Sequence, residues 1–195
     1  MSRKNQLTTS DYLEYSEFQR LITCLHKDGE LLWELYARLS FCTACRAYDV
    51  LNFKWKDVLD TDNCDVTEHK TGKTRYIKFA AVVRRYIRIL YDLLEKPDLD
   101  SYVFTCRQTG KPYTIQHINR KLKEFKFKYR INIDHFSTHT FRKTFGRYVY
   151  EHNNKSAESL ILLNKILNHS SIQTTKTYIG ITQDEINKIY DSIKF

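Results

Sequence analysis

The sequence predicts a mainly α-helical domain with one small antiparallel β-sheet, which is an α+β fold. The 195 residues include only five glycines and two prolines, whereas β-sandwiches and barrels need many turn residues. Apolar residues recur at helical spacing through most of the chain, and one short segment alternates as a strand does. Because 42% of the residues are hydrophobic, we expect a single domain around a sizeable core.

The N-terminal quarter is predicted to contain three helices. The first ends near Gly29, and the second covers residues 31–39. The apolar stripe of the first helix is formed by Phe18, Leu21, Ile22 and Leu25. A short third helix follows Arg46 and is expected to bury Val50 and Leu51.

The predicted sheet lies within residues 58–79. Here β-branched and aromatic residues alternate on both sides of the sequence Lys70-Thr71-Gly72-Lys73, so we expect an antiparallel hairpin that turns at Gly72. Helical periodicity returns over residues 80–95 and ends before Pro97. The apolar face of this helix is formed by Val83, Ile87, Leu90 and Leu94.

The C-terminal half is predicted to be helical. Thr114 is the expected N-cap of one helix, and Ser156 is the expected N-cap of a later one. Between them, residues 139–152 form a basic helix rich in aromatic residues. A break over residues 168–170 precedes a short helix that runs to Tyr178. The inward-facing residues expected after Thr114 are Ile115, Ile118, Leu122 and Phe125.

The composition favours a polyanionic partner in a reducing compartment. The net charge is +9 and the sequence pI is about 9.2, which fits nucleic acid, although a basic protein can also simply be soluble. Five cysteines are an odd number, and the Cys42-x-x-Cys45 pair has no second pair at zinc-site spacing. We therefore expect a cytoplasmic protein with no metal site. The chain has neither a secretory signal nor an apolar run long enough for a membrane helix.

The sequence His139-x-x-Arg142 is the first candidate for chemistry. Residues three apart share a face of a helix, and a proton-transfer group beside a guanidinium suits a phosphodiester. On its own this pattern is weak, since a chance pair on the protein surface is the commoner explanation. The nine-residue interval from His169 to Tyr178 is equally uninformative alone, because the chain contains 14 tyrosines.

Taken together and in order, these motifs resemble those of the tyrosine recombinases, the phage integrase family. Arg46 lies in TACRAYDVLNFKWKD, where Asp49 occupies the position of the family's acidic residue. The segments EHKTGK, THTFRKTF and LNHSSIQTTKTY resemble the family's β-hairpin lysine, H-x-x-R and tyrosine boxes. Asn168 replaces the common glycine before His169, and Cys45 replaces a common leucine, but no catalytic group is missing.

The resemblance implies a catalytic role for six residues. Two arginines would neutralise the phosphate, a tyrosine would attack it, and a histidine and a lysine would act as general base and general acid. These catalytic residues would be Arg46, Lys70, His139, Arg142, His169 and Tyr178. Asp49 would orient Arg46 or His139, and His169 would support the transition state. Lys73 and Arg75, which flank the turn, are expected either to contact DNA near the cleavage site or to be simply solvated, and Arg147 is a further candidate for a phosphate contact. No cofactor, metal or ATP is implied.

The resemblance also implies a domain organisation and partners. Residues 1–180 would form the catalytic domain, and residues 181–195 would form an amphipathic C-terminal helix that docks on a neighbouring subunit or folds back on its own domain. The family's N-terminal core-binding domain is expected to be absent, in either a fragment or a stand-alone form. The implied partners are double-stranded DNA, a homotetramer assembled on it, and accessory DNA-bending proteins. Two alternatives to a recombinase remain: a non-catalytic DNA-binding accessory protein, and DNA relaxation of the type IB topoisomerase kind.

Overall fold

The computed structural model describes residues 10–106, 108–181, 187 and 190–193. Within them the chain is mostly helical and includes one two-stranded antiparallel sheet, so the expected fold class is confirmed. The elements in chain order are α1 (Tyr15–Lys27), α2 (Leu31–Thr43), α3 (Ala47–Leu51), α4 (Trp55–Val58), β1 (Asn63–Thr67), β2 (Thr74–Lys78), α5 (Ala81–Leu93), α6 (Ile115–Lys128), α7 (Thr140–His152), α8 (Ala157–Leu167) and α9 (Ile172–Tyr178).

The hairpin turn is closed by main-chain hydrogen bonds. The backbone N–H of Glu68 donates to the Lys73 carbonyl at 3.0 Å, and the Gly72 N–H donates to the Glu68 carbonyl at 2.8 Å. Gly72 has φ +66°, a conformation that glycine adopts without steric cost. The hairpin is shorter than the predicted segment over 58–79, because Val58 ends the unpredicted helix α4.

Two helices begin at the N-cap residues that the sequence predicts. The hydroxyl of Thr114 accepts a hydrogen bond from the His117 N–H, and the hydroxyl of Ser156 accepts one from the Ser159 N–H. Both predicted N-caps are therefore confirmed. The inward placement of Ile115 is wrong: its side chain is 37% exposed. It is the first residue of α6, and side chains lean toward the N-terminus of a helix, so it lies beyond the core that buries Ile118.

Two apolar clusters flank α7. The larger cluster joins the faces of α1, α2, α5 and α6 and reaches Phe141 of α7. The smaller cluster contains Ala44, Leu160, Leu163, Leu167 and Ile179. On this side α7 approaches the end of α9 closely, because a Cβ on Gly146 would lie 2.7 Å from Ile179 Cγ2.

The expected tail helix lies largely outside the described residues. Of this segment the structure describes Ile181, Asn187 and residues 190–193, and Ile181 packs against the smaller cluster. Among the helices that the structure does describe, none is both long and apolar enough to cross a bilayer.

Candidate active site

Arg142 is the most deeply enclosed cation of the site. It lies on α7 and is 2% exposed. Its Nη1 donates to the Ala44 carbonyl and its Nη2 to the Leu167 carbonyl, each at 2.5 Å. Ala44 caps the C-terminus of α2, and Leu167 is the last residue of α8. Carbonyls at helix C-termini lack intrahelical donors and carry partial negative charge, so one guanidinium satisfies the ends of two helices.

Arg46 is held by a carboxylate instead. It is the N-cap residue of α3, and its Nη1 lies 2.6 Å from Oε2 of Glu68. Glu68 is fully buried at the start of the hairpin turn, and Arg75 lies 3.4 Å from its other oxygen. Burial alone would raise the pKa of Glu68. Hydrogen bonds from Asn168 and Thr71 and the nearby Arg46 outweigh that effect and lower this pKa to about 2.

Asp49 contacts the hairpin turn. It is 6% exposed, and its Oδ1 accepts a hydrogen bond from the His69 backbone N–H at 3.0 Å. That amide immediately precedes Lys70. This contact of the carboxylate goes to the turn, and the expected orienting of Arg46 or His139 stays a prediction.

The two candidate histidines share an electropositive, partly buried environment. His139 occupies the N-cap position of α7, and His169 follows α8, with Nδ1 3.1 Å from Thr175 Oγ1. Burial is the largest cause that lowers the pKa of each histidine to about 4, and the positive charge of Arg142 is the next. Both imidazoles are therefore neutral near pH 7, which leaves each able to accept a proton.

Tyr178 ends α9 with its hydroxyl directed into the protein. The oxygen is buried and has no partner in hydrogen-bonding geometry among the described residues. Its ring lies edge-on to His169, with centroids 4.8 Å apart, and Lys143 Nζ lies 5.2 Å from the ring centroid. Burial raises the pKa of Tyr178, while the nearby Arg142 and Arg46 act in the opposite direction.

The lysines of the hairpin turn are exposed. Lys70 and Lys73 lie at the tip and the far side of the turn, open to solvent. The positive charge of Lys70 contributes to lowering the pKa of both His139 and His169. The turn therefore brings this ammonium group within electrostatic reach of both histidines.

The other two predicted DNA contacts have internal partners. The side chain of Arg75 is 11% exposed, and its Nη2 donates to the Thr43 carbonyl at 2.7 Å. Arg147 is buried, with its Nε bonded to Glu151 at 2.7 Å and its guanidinium over the ring of Tyr12.

Four residues of the site carry no signal that the sequence arguments used. Glu68 and Asn168 interact although 100 positions separate them. Lys143 donates to the Ser10 carbonyl at 2.6 Å beside Tyr178, and Gly146 admits Ile179 next to Tyr178. Only the replacement of a common glycine by Asn168 marks one of them in the sequence.

The arrangement as a whole suits an anionic ester. Two guanidiniums, two neutral imidazoles and a buried phenol meet beside a basic turn, and within the described part of the chain no group of three or more His, Cys, Asp and Glu side chains is arranged to hold a metal ion. Fold and site together define the catalytic-domain class of the tyrosine recombinases.

Comparison with known proteins places the chain in a family. Residues 11–185 match the model of the phage integrase family. The chain therefore belongs to this family. The probable integrase/recombinase YoeC of Bacillus subtilis is 34% identical over 148 residues, which is 76% of this chain and 77% of YoeC.

Solved structures of larger recombinases share the fold. XerH site-specific recombinase bound to its palindromic difH substrate superposes with a TM-score of 0.71 and 18% identity, over 96% of this chain and 54% of XerH. A lambda integrase tetramer bound to a Holliday junction gives a TM-score of 0.66 and 15% identity, over 91% of this chain and 50% of that chain. The chain thus spans about half the length of these two recombinases.

Proposed function

We propose that this protein is a site-specific DNA recombinase that cleaves and rejoins strands through a 3′-phosphotyrosine on Tyr178. The observation that carries the proposal is the surroundings of the Tyr178 hydroxyl. Its oxygen is buried, which raises the pKa of Tyr178, and the two neighbouring guanidiniums of Arg142 and Arg46 act in the opposite direction. Neighbouring guanidiniums favour the phenolate, and an adjacent base that takes the phenol proton completes the activation of such a nucleophile.

Cleavage exchanges one phosphate ester for another. Tyr178 Oη attacks phosphorus, its bond to phosphorus forms, and the bond from phosphorus to the 5′ oxygen breaks. Arg46 and Arg142 stabilise the charge of the pentacoordinate transition state. His139 accepts the phenol proton, and Lys70 donates a proton to the departing 5′ oxygen.

The reverse reaction joins strands. A 5′ hydroxyl of a second strand attacks the phosphotyrosine and releases Tyr178, so the ester energy is retained and neither ATP nor a metal ion enters the balance. His169 hydrogen-bonds the phosphate in the transition state. Asp49 acts from a distance, because its hydrogen bond to the His69 N–H fixes the turn that presents Lys70.

The three residues predicted to contact DNA differ in their surroundings, so we propose different roles for them. We propose that exposed Lys73 contacts a DNA phosphate near the cleavage site. For Arg75 we propose an internal role, since it bonds the Thr43 carbonyl and faces Glu68. Arg147 is proposed to anchor α7 through Glu151, with any phosphate contact secondary.

The proposed partners are duplex DNA and further copies of this chain. XerH in its DNA complex and the lambda integrase tetramer on a junction share the fold, and the net charge of +9 fits a polyanion. We propose a homotetramer on two duplexes, joined through the segment after residue 181, with accessory DNA-bending proteins selecting the outcome.

Covalent trapping tests the proposal. The protein is incubated with duplexes of randomised sequence, nicked so that the short product diffuses away after cleavage, and adducts are resolved on a denaturing gel. We expect an adduct with wild type and with Tyr86→Phe, a control on α5 away from the site, and none with Tyr178→Phe. Sequencing the trapped DNA then reports the preferred site.

The same experiment separates the alternatives. Salt-sensitive DNA binding without any adduct, also when a core-binding domain is supplied separately, would indicate the non-catalytic accessory protein. An adduct together with relaxation of supercoiled DNA, but no joining of two sites, would indicate the topoisomerase type. An adduct retained by Tyr178→Phe would contradict the assigned nucleophile.

A further inference from the structure

Asn168 connects two parts of the site that are distant in the sequence. It is the C-cap residue of α8, with φ 50° and ψ 48°. Its side-chain Nδ2 donates to Glu68 Oε2 at 2.6 Å and lies 3.2 Å from Thr71 Oγ1. Both acceptors belong to the hairpin turn, and Lys70 lies between them in the chain.

In the chain, Asn168 lies between Leu167 and His169, and both of these residues belong to the helical part of the site. The preceding Leu167 carbonyl accepts from Arg142, and the following residue is His169. On the opposite side, Glu68 pairs with Arg46. The amide of Asn168 therefore ties the peptide segment that holds one arginine to the carboxylate that holds the other.

We infer that Asn168 is a positioning residue that fixes the Lys70 turn against the α8–α9 junction. The inference rests on the proposed function for the part that concerns Lys70. Lys70 itself is exposed, so its placement depends on how the turn is anchored. Small errors in the placement of an acid relative to its leaving group cost large factors in rate.

The backbone conformation of Asn168 does not explain its side-chain contacts. Asparagine and glycine both tolerate a positive φ, and a cap needs only that backbone conformation. The contacts with Glu68 and Thr71 are additional. Asn168→Gly therefore removes the amide while it keeps the cap, and this separates the two roles. Asn154 also has a positive φ, 55°, and is exposed, so Asn154→Gly is a matched control for the change in chain flexibility.

The kinetic test compares two leaving groups. Single-turnover cleavage is measured on nicked duplexes with either the normal 5′ oxygen or a bridging sulfur at the scissile phosphate. A thiolate leaves without protonation, so the sulfur substrate does not need the general acid. We expect Asn168→Gly to slow cleavage of the oxygen substrate about 10- to 100-fold and to leave the sulfur substrate near the wild-type rate. We expect the same pattern for Lys70→Ala. Asn154→Gly should match wild type on both. A normal rate on oxygen, or an equal loss on both substrates, would overturn the inference.

A second readout needs no cleavage. Hydrogen exchange reports the turn through the amides of Glu68, Thr71 and Gly72, whose hydrogen bonds close it. We expect Asn168→Gly to accelerate exchange at these amides and to leave the middle of α8 unchanged. Unchanged exchange in the turn would refute the tie even if wild type forms no adduct. Faster exchange together with an inactive wild type would support the tie and reject the proposed function.

Discussion

Two arginines with the same expected task are held in different ways on the two sides of the site. On the helical side, Arg142 is 2% exposed and is held by two main-chain carbonyls. On the hairpin side, the Arg46 side chain is 19% exposed and is paired with the Glu68 carboxylate. Neutral acceptors orient a guanidinium and leave its full charge available to a ligand, whereas a carboxylate neutralises most of it.

Because the two arginines are held differently, we expect the two sides of the site to contribute differently to catalysis. An incoming phosphate meets an uncompensated charge at Arg142, and at Arg46 it must share the guanidinium with Glu68. Charge stabilisation should therefore depend chiefly on Arg142. Glu68 should chiefly maintain the shape of the hairpin side, since it contacts Arg46, Arg75 and Asn168.

The largest effect is expected from Arg142→Gln. Cleavage should fall about 100- to 1,000-fold because a preorganised charge at the phosphate is lost. The free energy of unfolding should also fall, by about 1–3 kcal/mol, because the Leu167 carbonyl loses its donor, whereas the Ala44 carbonyl keeps Arg75 Nη1 at 3.3 Å. Single-turnover cleavage and urea unfolding measure the two losses. Arg46→Gln serves as the comparison, and a larger rate loss for it than for Arg142→Gln would contradict the assignment.

The next largest effect is expected on stability, when the buried carboxylate of Glu68 is removed. Glu68→Gln leaves the paired cations of the hairpin side without their buried counter-ion, so we expect the free energy of unfolding to fall by about 3–5 kcal/mol. Urea unfolding measures it at pH 7. Glu17→Gln also removes the carboxylate from an ion pair with an arginine, but the side chain of its partner Arg20 is 44% exposed, so this change should cost less than about 1 kcal/mol, as exposed pairs do. Equal losses in the two variants would show that Glu68 has no special role.

The third prediction concerns pH. The pKa of His139 and that of His169 are lowered to about 4 in the folded protein, below the usual value of about 6.5. The unfolded chain therefore takes up protons first as the pH falls, so stability is full above about pH 6.5 and declines toward pH 4. His139→Gln should reduce this decline by at most about 3 kcal/mol. Urea unfolding between pH 7.5 and 4.5 gives the slope, and an unaltered slope in the variant would contradict the lowered pKa.

The smallest effect tests how the nucleophile is positioned. Gly146→Ala places a methyl group 2.7 Å from Ile179 Cγ2, and overpacking of this kind costs about 1–3 kcal/mol. Because Ile179 follows Tyr178, cleavage should slow as well, while the hairpin side keeps its structure. Thermal unfolding and adduct formation report the two effects. Ser159→Ala, a small buried change on α8 away from this contact, should leave the rate of adduct formation unchanged.

Local rules predicted much of the fold. Thr114 and Ser156 cap their helices through hydrogen bonds within three residues, and Gly72 closes a turn of its own hairpin. Such interactions depend on near neighbours, and so the sequence reveals them. The four-residue helix α4 has too few residues for a periodic pattern, and the exposure of Ile115 depends on where the core ends.

The candidate site likewise has a part that the sequence revealed and a part that only the structure shows. The resemblance to the recombinase motifs identified Arg46, His139 and Tyr178 as candidates. The contacts of Glu68 with Asn168 and of Gly146 with Ile179 join positions that are 100 and 33 residues apart. One sequence without related sequences holds no trace of such pairings, because each residue is ordinary in its own segment.

The two carbonyls that hold Arg142 also affect how this protein could lose its activity in evolution. The guanidinium that would bind the DNA phosphate also completes the C-terminal ends of α2 and α8. A mutation that removes the clamp therefore also weakens the scaffold, so decay of activity at this position would lead to degradation of the chain and not to an inert, well-folded descendant. A binding-only descendant would have to arise by losses elsewhere, and the most accessible route is Tyr178, whose hydroxyl satisfies no hydrogen bond within the described structure.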